Sequence, residues 1–414
     1  MFNNLAEAIA WIEIQVKFKP KIDLIRMRSA YAMLGINLDH IKKIHVAGTN
    51  GKGSVCAYLS NILIEAGYKV GTFTSPYLLK FHERIRYQFL EIKDDELFLL
   101  IERIYLFNQD FTESYGENLS FFELLTLMSL LYFSDKAVDV ILMEVGLGGL
   151  FDATNILDYD LSIITSIGFD HMKQLGNSLE SIALNKLGIL KPKNHLITSV
   201  EPALHPYFKD YLKNMDVTSE FYTLDDIKKR NDLPLIFKFD QHTYELPLIG
   251  EFQLLNGLVS VQAIRYLYPD ISYQTIYKGL LQTKWAGRLE RIENNIFIDA
   301  GHNTHAMDAL RRSAEQTFKK KKIWVLFSAL GDKDIDGMLK IVKTFAQRII
   351  LTEFPDPRFQ DLSRFVTKKI IRMDDALTAI NKLEKMMDKD TVLIITGSLH
   401  FVGYIKSNYV NQSN

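Results

Sequence analysis

The sequence predicts an α/β fold in two parts: an N-terminal parallel-sheet domain of the phosphate-loop type and a C-terminal Rossmann-like α/β domain. Three observations lead there. Short apolar runs alternate with longer helical patterns along most of the chain, the rhythm of strands apolar on both faces and covered by helices. A glycine-rich turn follows the first of these runs and feeds a helix. The rhythm lapses near Val217 and restarts after Trp285, which divides the chain into residues 1–284 and 285–414.

In order, the runs Ile41–Ala47, Val70–Thr74, Val138–Val145, Leu161–Ile167 and His195–Val200 read as strands of the first domain. From Val217 to Leu255 the runs shorten and alternate, as in Ile236-Phe-Lys-Phe239 and Thr243-Tyr-Glu-Leu246, so this stretch is expected to form an antiparallel edge of that domain. Ile296–Asp299, Ile323–Ser328, Arg348–Thr352 and Thr391–Thr396 supply the second sheet. The basic run Lys319–Lys322 reads as a solvated helix-to-strand turn.

Composition narrows the function. Of 414 residues, 49 are Lys or Arg and 50 Asp or Glu, a net charge of −1 that gives no global attraction to nucleic acid or an anionic membrane. Hydrophobic residues at 47% and charged residues at 24% fit a folded, enzyme-sized protein. A lone cysteine, Cys56, permits no intramolecular disulfide and no structural zinc, which fits a reducing cytoplasm. The most apolar run, Val138–Phe151, is broken by Glu144 and does not read as a membrane helix. Met1–Ala10 lacks a basic start and does not read as a secretory signal. A monomer acting on small molecules is expected.

The strongest local signal is Gly48-Thr49-Asn50-Gly51-Lys52-Gly53-Ser54, between a strand and a helix. Backbone N–H groups and a helix N-terminus there would face one anion. ATP phosphates are the expected ligand, with Lys52 on the terminal phosphates and Ser54 near the metal or a phosphate oxygen. An ordinary glycine turn with a solvated lysine is the plain alternative.

Ligands of open α/β sheets gather beyond the carboxyl ends of strands. Ser75, Glu144, Asp170 and His171 fall there, and Ser75, Glu144 and His171 together resemble a magnesium site. Lys186 falls on the apolar stripe Leu179, Ile182, Ala183, Leu187 and Leu190, either as a snorkelling lysine or as a modified or metal-neighbouring one. Glu123 interrupts the apolar run Phe121–Phe133, with Thr126 and Ser129 on its face; that stripe reads as the solvated one. In the second domain Asp299-Ala-Gly-His302-Asn303, Gly331-Asp332-Lys333-Asp334 and Gly397-Ser398-Leu-His400 end three strands at one edge.

Taken in series, these motifs resemble folylpolyglutamate synthase, the family that includes bifunctional dihydrofolate synthases and belongs with the Mur ligases. The resemblance runs through Arg26-Met27, the loop Gly48–Ser54, Thr74-Ser-Pro76, Glu83-Arg-Ile-Arg86, Phe122-Glu123 and Glu144-Val-Gly-Leu-Gly-Gly149. It continues through Asp152-Ala-Thr-Asn155, Ser166-Ile-Gly-Phe-Asp170-His171, Trp285–Glu290, Asp299–Asn303, Asp332–Asp334 and Gly397–Leu399.

The resemblance implies an ATP-dependent amide ligase that phosphorylates the γ-carboxylate of a (tetrahydro)folate and joins it to L-glutamate. It places Thr49–Ser54, Asn256, Arg288 and Asp299 on ATP. It makes Ser75, Glu144 and His171 ligands of one or two Mg²⁺ ions and Lys186 a carbamate (N6-carboxylysine). It sets Lys52, Asp299, His302 and Ser398 at the chemistry, and Arg26, Phe122, Glu123, Phe151, Asp152 and Ala153 around the folate. Four positions depart from the family pattern: Tyr77 stands where His is usual, Leu150 where Arg is, Asn185 where Glu is, and Phe252 where His is. Dihydropteroate as substrate, a Mur-type ligase for another carboxylate and a non-catalytic ATP-gated switch are the competing readings. A cell-wall Mur ligase has a nucleotide-sugar domain ahead of its loop, whereas 47 residues precede Gly48 here.

Overall fold

The computed structural model describes residues 1–17, 23–230 and 234–409. They form two compact units, one of Met1–Thr223 with Asn256–Gln282 and one of Leu224–Leu255 with Thr283–Asn414.

The first unit is built on eight strands: β1 Lys42–Ala47, β2 Val70–Phe73, β3 Ile85–Tyr87, β4 Leu90–Glu91, β5 Val140–Glu144, β6 Leu161–Ile164, β7 His195–Thr198 and β8 Thr218–Phe221. Their order is β4-β3-β2-β5-β1-β6-β7-β8. All neighbours from β2 to β8 pair parallel, while β3 and β4 form an antiparallel edge. The central strands are buried on both faces. Ile141 and Met143 pack with Leu124, Leu127 and Phe133 on one side; Ala47 and Ile164 pack with Ile182, Leu187 and Phe208. Each buried side chain of this size contributes about 1.5–3 kcal/mol, so doubly covered strands anchor the residues at their ends.

The helix Phe121–Asp135 overturns one expectation. Every residue from Glu123 to Phe133 is buried, so the Glu123, Thr126 and Ser129 stripe is not solvated. Thr126 and Ser129 satisfy their hydroxyls on the carbonyls of Phe122 and Thr126. Glu123 is held by Ser120 and Arg26.

The stretch after Val217 also differs from expectation. Thr218–Phe221 pairs parallel to β7 and completes the first sheet. Three further strands, β9 Lys228–Arg230, β10 Leu235–Phe239 and β11 His242–Leu246, form a separate antiparallel sheet, and Leu224–Leu255 belongs to the second unit. The physical reason lies in its contacts: Ile249 packs on that unit's core, and the Glu251 amide donates to Ser313 Oγ at 2.9 Å.

The second unit's main sheet comprises β12 Glu290–Glu293, β13 Ile296–Asp299, β14 Lys322–Phe327, β15 Arg348–Glu353, β16 Ile370–Asp375 and β17 Thr391–Thr396, in the order β12-β13-β17-β14-β15-β16. Only β12 is antiparallel to its neighbour. No helix among the described residues is long and apolar enough to cross a membrane.

Candidate active site

The phosphate loop leaves β1 and is clamped by the segment after β6. The Thr49 amide donates to the Ser166 carbonyl at 2.8 Å, the Asn50 amide to Ser166 Oγ at 3.1 Å, and Thr165 Oγ1 to the Asn50 carbonyl at 2.6 Å. Gly48 and Gly51 have φ of 147° and 91°, conformations that L side chains rarely adopt. A Cβ on Gly51 would lie 2.6 Å from Asn256 Oδ1, which brings the predicted Asn256 against the loop. The helix Lys52–Glu65 starts here, and its first N–H groups suit an anion.

Two lysines converge on one oxygen. Lys52 Nζ donates to the Gly48 carbonyl at 3.1 Å and to Thr49 O at 3.4 Å, and Lys186 Nζ donates to the same Gly48 carbonyl at 2.9 Å. Lys186 is 4% exposed, so its head group does not snorkel to water. Burial, then the Lys52 charge, pulls its pKa down to about 7. Glu144, at the end of β5, is buried; its Oε1 lies 3.9 Å from Lys52 Nζ and its Oε2 accepts the Ser75 amide at 3.1 Å. Ser75, Glu144, Lys52 and Lys186 thus surround the loop. His171 follows three residues after Gly168, whose amide donates to Thr49 Oγ1. It starts the one-turn helix Met172–Leu175 at φ 50°, with Nε2 3.9 Å from Asp170 Oδ1.

Beside this lies the predicted folate set. Arg26 Nη2 donates to both Glu123 oxygens at 2.9 and 3.1 Å, and Nη1 to Glu117 at 2.8 Å. Phe122 packs so closely on Gly146 that a Cβ there would lie 2.3 Å from its ring. Asp152 caps the turn Ala153–Ile156 and ties the glycine loop: Oδ2 accepts the amides of Gly146 and Leu147, and Oδ1 accepts the amide and hydroxyl of Thr154. Ala153 is buried and Phe151 half-buried. Asn185 lies against Gly148, 2.3 Å from where a Cβ would be, and its carbonyl accepts the Leu150 amide.

Sequence reasoning missed His45. It stacks on Tyr159 at 4.0 Å, and its Nε2 is 2.8 Å from Thr154 Oγ1. Thr154 gives its proton to Asp152, so the proton of His45 belongs on Nε2. A titratable residue inside an apolar strand was the available signal. Burial drives its pKa down from 6.5 to about 3. Across that window the unfolded chain binds a proton that the folded chain refuses, so the stability from the neutral ring is complete above the unfolded value and is lost as pH falls. Urea unfolding between pH 7.5 and 5 is expected to show wild type losing stability with acid faster than His45→Gln, by up to about 1.4 kcal/mol per pH unit. Parallel pH dependences would reject the assignment.

In the second unit Asp299 ends β13, opposite Thr396 of β17, so Ala300–His302 and Gly397–Ser398 leave the sheet side by side. Asp299 accepts the amides of Leu289 at 2.9 Å and Gly301 at 2.9 Å; burial raises its pKa, and the Arg288 charge opposes this. Arg288 Nη1 donates to the Gly287 carbonyl at 3.2 Å. His302 Nδ1 faces the Ala300 carbonyl at 3.1 Å, which assigns that nitrogen the proton and leaves Nε2 the basic position. Asn303 and Asp334 act as helix N-caps on Ala306 and Gly337. Ser398 is buried at the start of the helix Leu399–Asn408. Phe252 packs on Gly250, 2.6 Å from where a Cβ would be.

The Mur ligase middle domain model matches residues 46–264, and the Mur ligase glutamate ligase domain model matches residues 287–399. A dihydrofolate synthase/folylpolyglutamate synthase of Bacillus subtilis is 35% identical over 98% of this chain and 99% of its own. The chain belongs to the folylpolyglutamate synthase/dihydrofolate synthase family of Mur ligases. A folylpolyglutamate synthase of Lacticaseibacillus casei is 27% identical to this synthase, over 97% of the chain and 98% of the relative. The structure of Escherichia coli FolC in complex with DHPP and ADP superposes on the synthase with a TM-score of 0.88, at 26% identity, over 100% of this chain and 99% of that one. A Yersinia pestis bifunctional enzyme complexed with AMPPNP and Mn gives 0.86 at 27% identity, over 98% of each chain.

Proposed function

We propose that this synthase joins L-glutamate to the γ-carboxylate of a folate at the expense of ATP, with the phosphate loop and the folate residues on the unit Met1–Thr223 with Asn256–Gln282 and the glutamate residues on the other unit. The observation that carries the reading is the loop itself: Lys52 and Lys186 on one carbonyl, with Glu144 beside Lys52 and on the Ser75 amide.

The loop amides and Lys52 receive the ATP phosphates, with Asn256 against the loop; Arg288 and Asp299 are our nucleotide residues of the second unit. Among the described residues no three His, Cys, Asp or Glu side chains group to hold a metal; a divalent cation would draw on Glu144, which also takes the Ser75 amide, with His171, the Ser75 hydroxyl and phosphate oxygens as the further donors. A cation bound there supplies charge neutralisation to the phosphates. Phosphoryl transfer asks mainly for positioning and charge. The folate carboxylate attacks the terminal phosphorus, ADP leaves, and an acyl phosphate forms. The glutamate amine then attacks the acyl carbon and phosphate departs. That amine gives up a proton. His302 Nε2 is our acceptor, because both Asp299 oxygens already take backbone amides. Arg26, Phe122, Glu123, Phe151, Asp152 and Ala153 border the folate. We place the reaction in the cytoplasm, in keeping with the buried free thiol of Cys56.

Incubation with ATP, magnesium and labelled L-glutamate, with tetrahydrofolate in one arm and dihydropteroate in another, tests this. Labelled pterin product with stoichiometric ADP in the tetrahydrofolate arm is expected. Product in both arms makes the enzyme bifunctional, as the B. subtilis relative is named. ADP without pterin product in either arm rejects the substrate assignment.

A further inference from the structure

The segment Glu83-Arg84-Ile85-Arg86 carries three charges, and they meet different fates. The Glu83 carboxylate accepts the backbone amides of Leu78 at 3.0 Å, Leu79 at 2.6 Å and Lys80 at 2.9 Å. Arg86 donates to Thr74 Oγ1 at 3.0 Å and to the Glu83 carbonyl. Arg84 is 7% exposed, yet its guanidinium has no ion pair or hydrogen bond among the described residues, and its Nε is buried without an acceptor. Ring faces surround it instead: Tyr77 at 4.9 Å, Phe121 at 5.3 Å and Phe81 at 5.7 Å.

Of the four lysines and arginines buried among the described residues, the other three all reach oxygen. Lys43 donates to the carbonyls of Leu38 and Ile41, Lys186 to Gly48, and Arg86 to Thr74. Ring faces replace only part of the lost hydration of a cation. They also cover the faces of the guanidinium, so its in-plane N–H groups find no protein acceptor among the described residues and Nε is buried without one. Those donors match a carboxylate.

The position says which one. The Arg84 carbonyl accepts the Thr74 amide at 2.9 Å, one residue before Ser75, whose own amide donates to Glu144. On the other side Phe121 precedes Phe122, which packs against Phe73 and Gly146. Arg84 therefore lies between the phosphate-loop residues and the folate-side aromatics. A folate that already bears glutamate brings two carboxylates to this region: the γ group that reacts and the α group that does not. A guanidinium clamped on the reacting group would stabilise the ground-state anion more than a transition state in which that charge is passing to the phosphoryl group. The permanent anion is the better occupant.

We propose that Arg84 binds the non-reacting α-carboxylate of the folate's terminal glutamate through its N–H groups. The proposal rests on the reading of this chain as a folate–glutamate ligase, and it makes Arg84 a determinant of chain extension, since dihydropteroate has no second carboxylate.

The test compares tetrahydrofolate with its α-carboxamide, which keeps the reacting γ-carboxylate, in wild type, Arg84→Gln and Arg84→Lys. Wild type is expected to show a KM for the acid roughly 10–100-fold below that for the amide. Arg84→Gln raises the KM for the acid to that of the amide, leaves the amide's KM in place and changes kcat little; Arg84→Lys recovers part of the preference. Equal loss with both substrates, or a fall in kcat at unchanged KM, overturns the proposal in favour of a structural or chemical role. If Arg84→Gln does not fold, wild type alone decides, because equal KM values for acid and amide also overturn it. A wild type that adds glutamate to neither compound instead rejects the ligase reading, and this proposal with it.

Discussion

Lys52→Ala is expected to lower kcat/KM for ATP by roughly 10³-fold, the scale of losing a preorganised charge at a phosphoryl group, with the thermal midpoint changed by only a few degrees. Lys52 contacts the loop carbonyls of both Gly48 and Thr49 while also facing Glu144. Its removal takes one positive neighbour from Glu144 and the terminal charge from the phosphates. Measuring ADP and glutamylated product together checks this. A loss smaller than tenfold in both would take Lys52 out of the chemistry.

The second large effect concerns Lys186. An amine with a pKa of about 7 is about half unprotonated at neutral pH, and the neutral amine is the form that adds CO₂. The ammonium first gives up one proton; the neutral amine then forms an N–C bond to CO₂ and releases a second, so the cation becomes an anion that still carries one N–H for the Gly48 carbonyl. We expect Lys186→Ala to lose roughly 10²–10³-fold in kcat. Wild type assayed after CO₂ and bicarbonate are stripped should fall in activity and recover on their return, while Lys186→Ala responds to neither. Intact-mass measurement of active enzyme should show one added CO₂. Full activity in Lys186→Ala, or a plain lysine mass with CO₂-independent turnover, sinks the carbamate.

How much of this was legible in the sequence varied with the range of the interaction. The doubly buried strands announced themselves because both faces are apolar, but their ends ran long: Val138–Val145 narrows to Val140–Glu144, since apolar residues continue beyond the ladder. Thr218–Phe221 looked antiparallel because its outer side is solvated, as any sheet edge is. Lys186 was conspicuous on its stripe, while its partner, the Gly48 carbonyl, lies 138 residues away. Glu123 was misread as solvated because the arginine that neutralises it is 97 residues distant. Local pattern reports which residue is out of place, and only tertiary structure supplies what it is out of place for. The grouping of Leu224–Leu255 with the second unit rests on contacts such as Glu251 with Ser313, which no local period encodes.

The Glu83 carboxylate holds the segment after Tyr77 entirely by its main chain, through the amides of Leu78, Leu79 and Lys80. Amide hydrogens are the same in every residue but proline. The shape of this segment is therefore set by one acidic residue, and its three side chains are left open to change. A lineage that altered its folate could rewrite residues 78–80 in small steps while the Arg84 enclosure and the Ser75 end of the sheet kept their form, and a laboratory seeking a ligase for a different acid has its first library there.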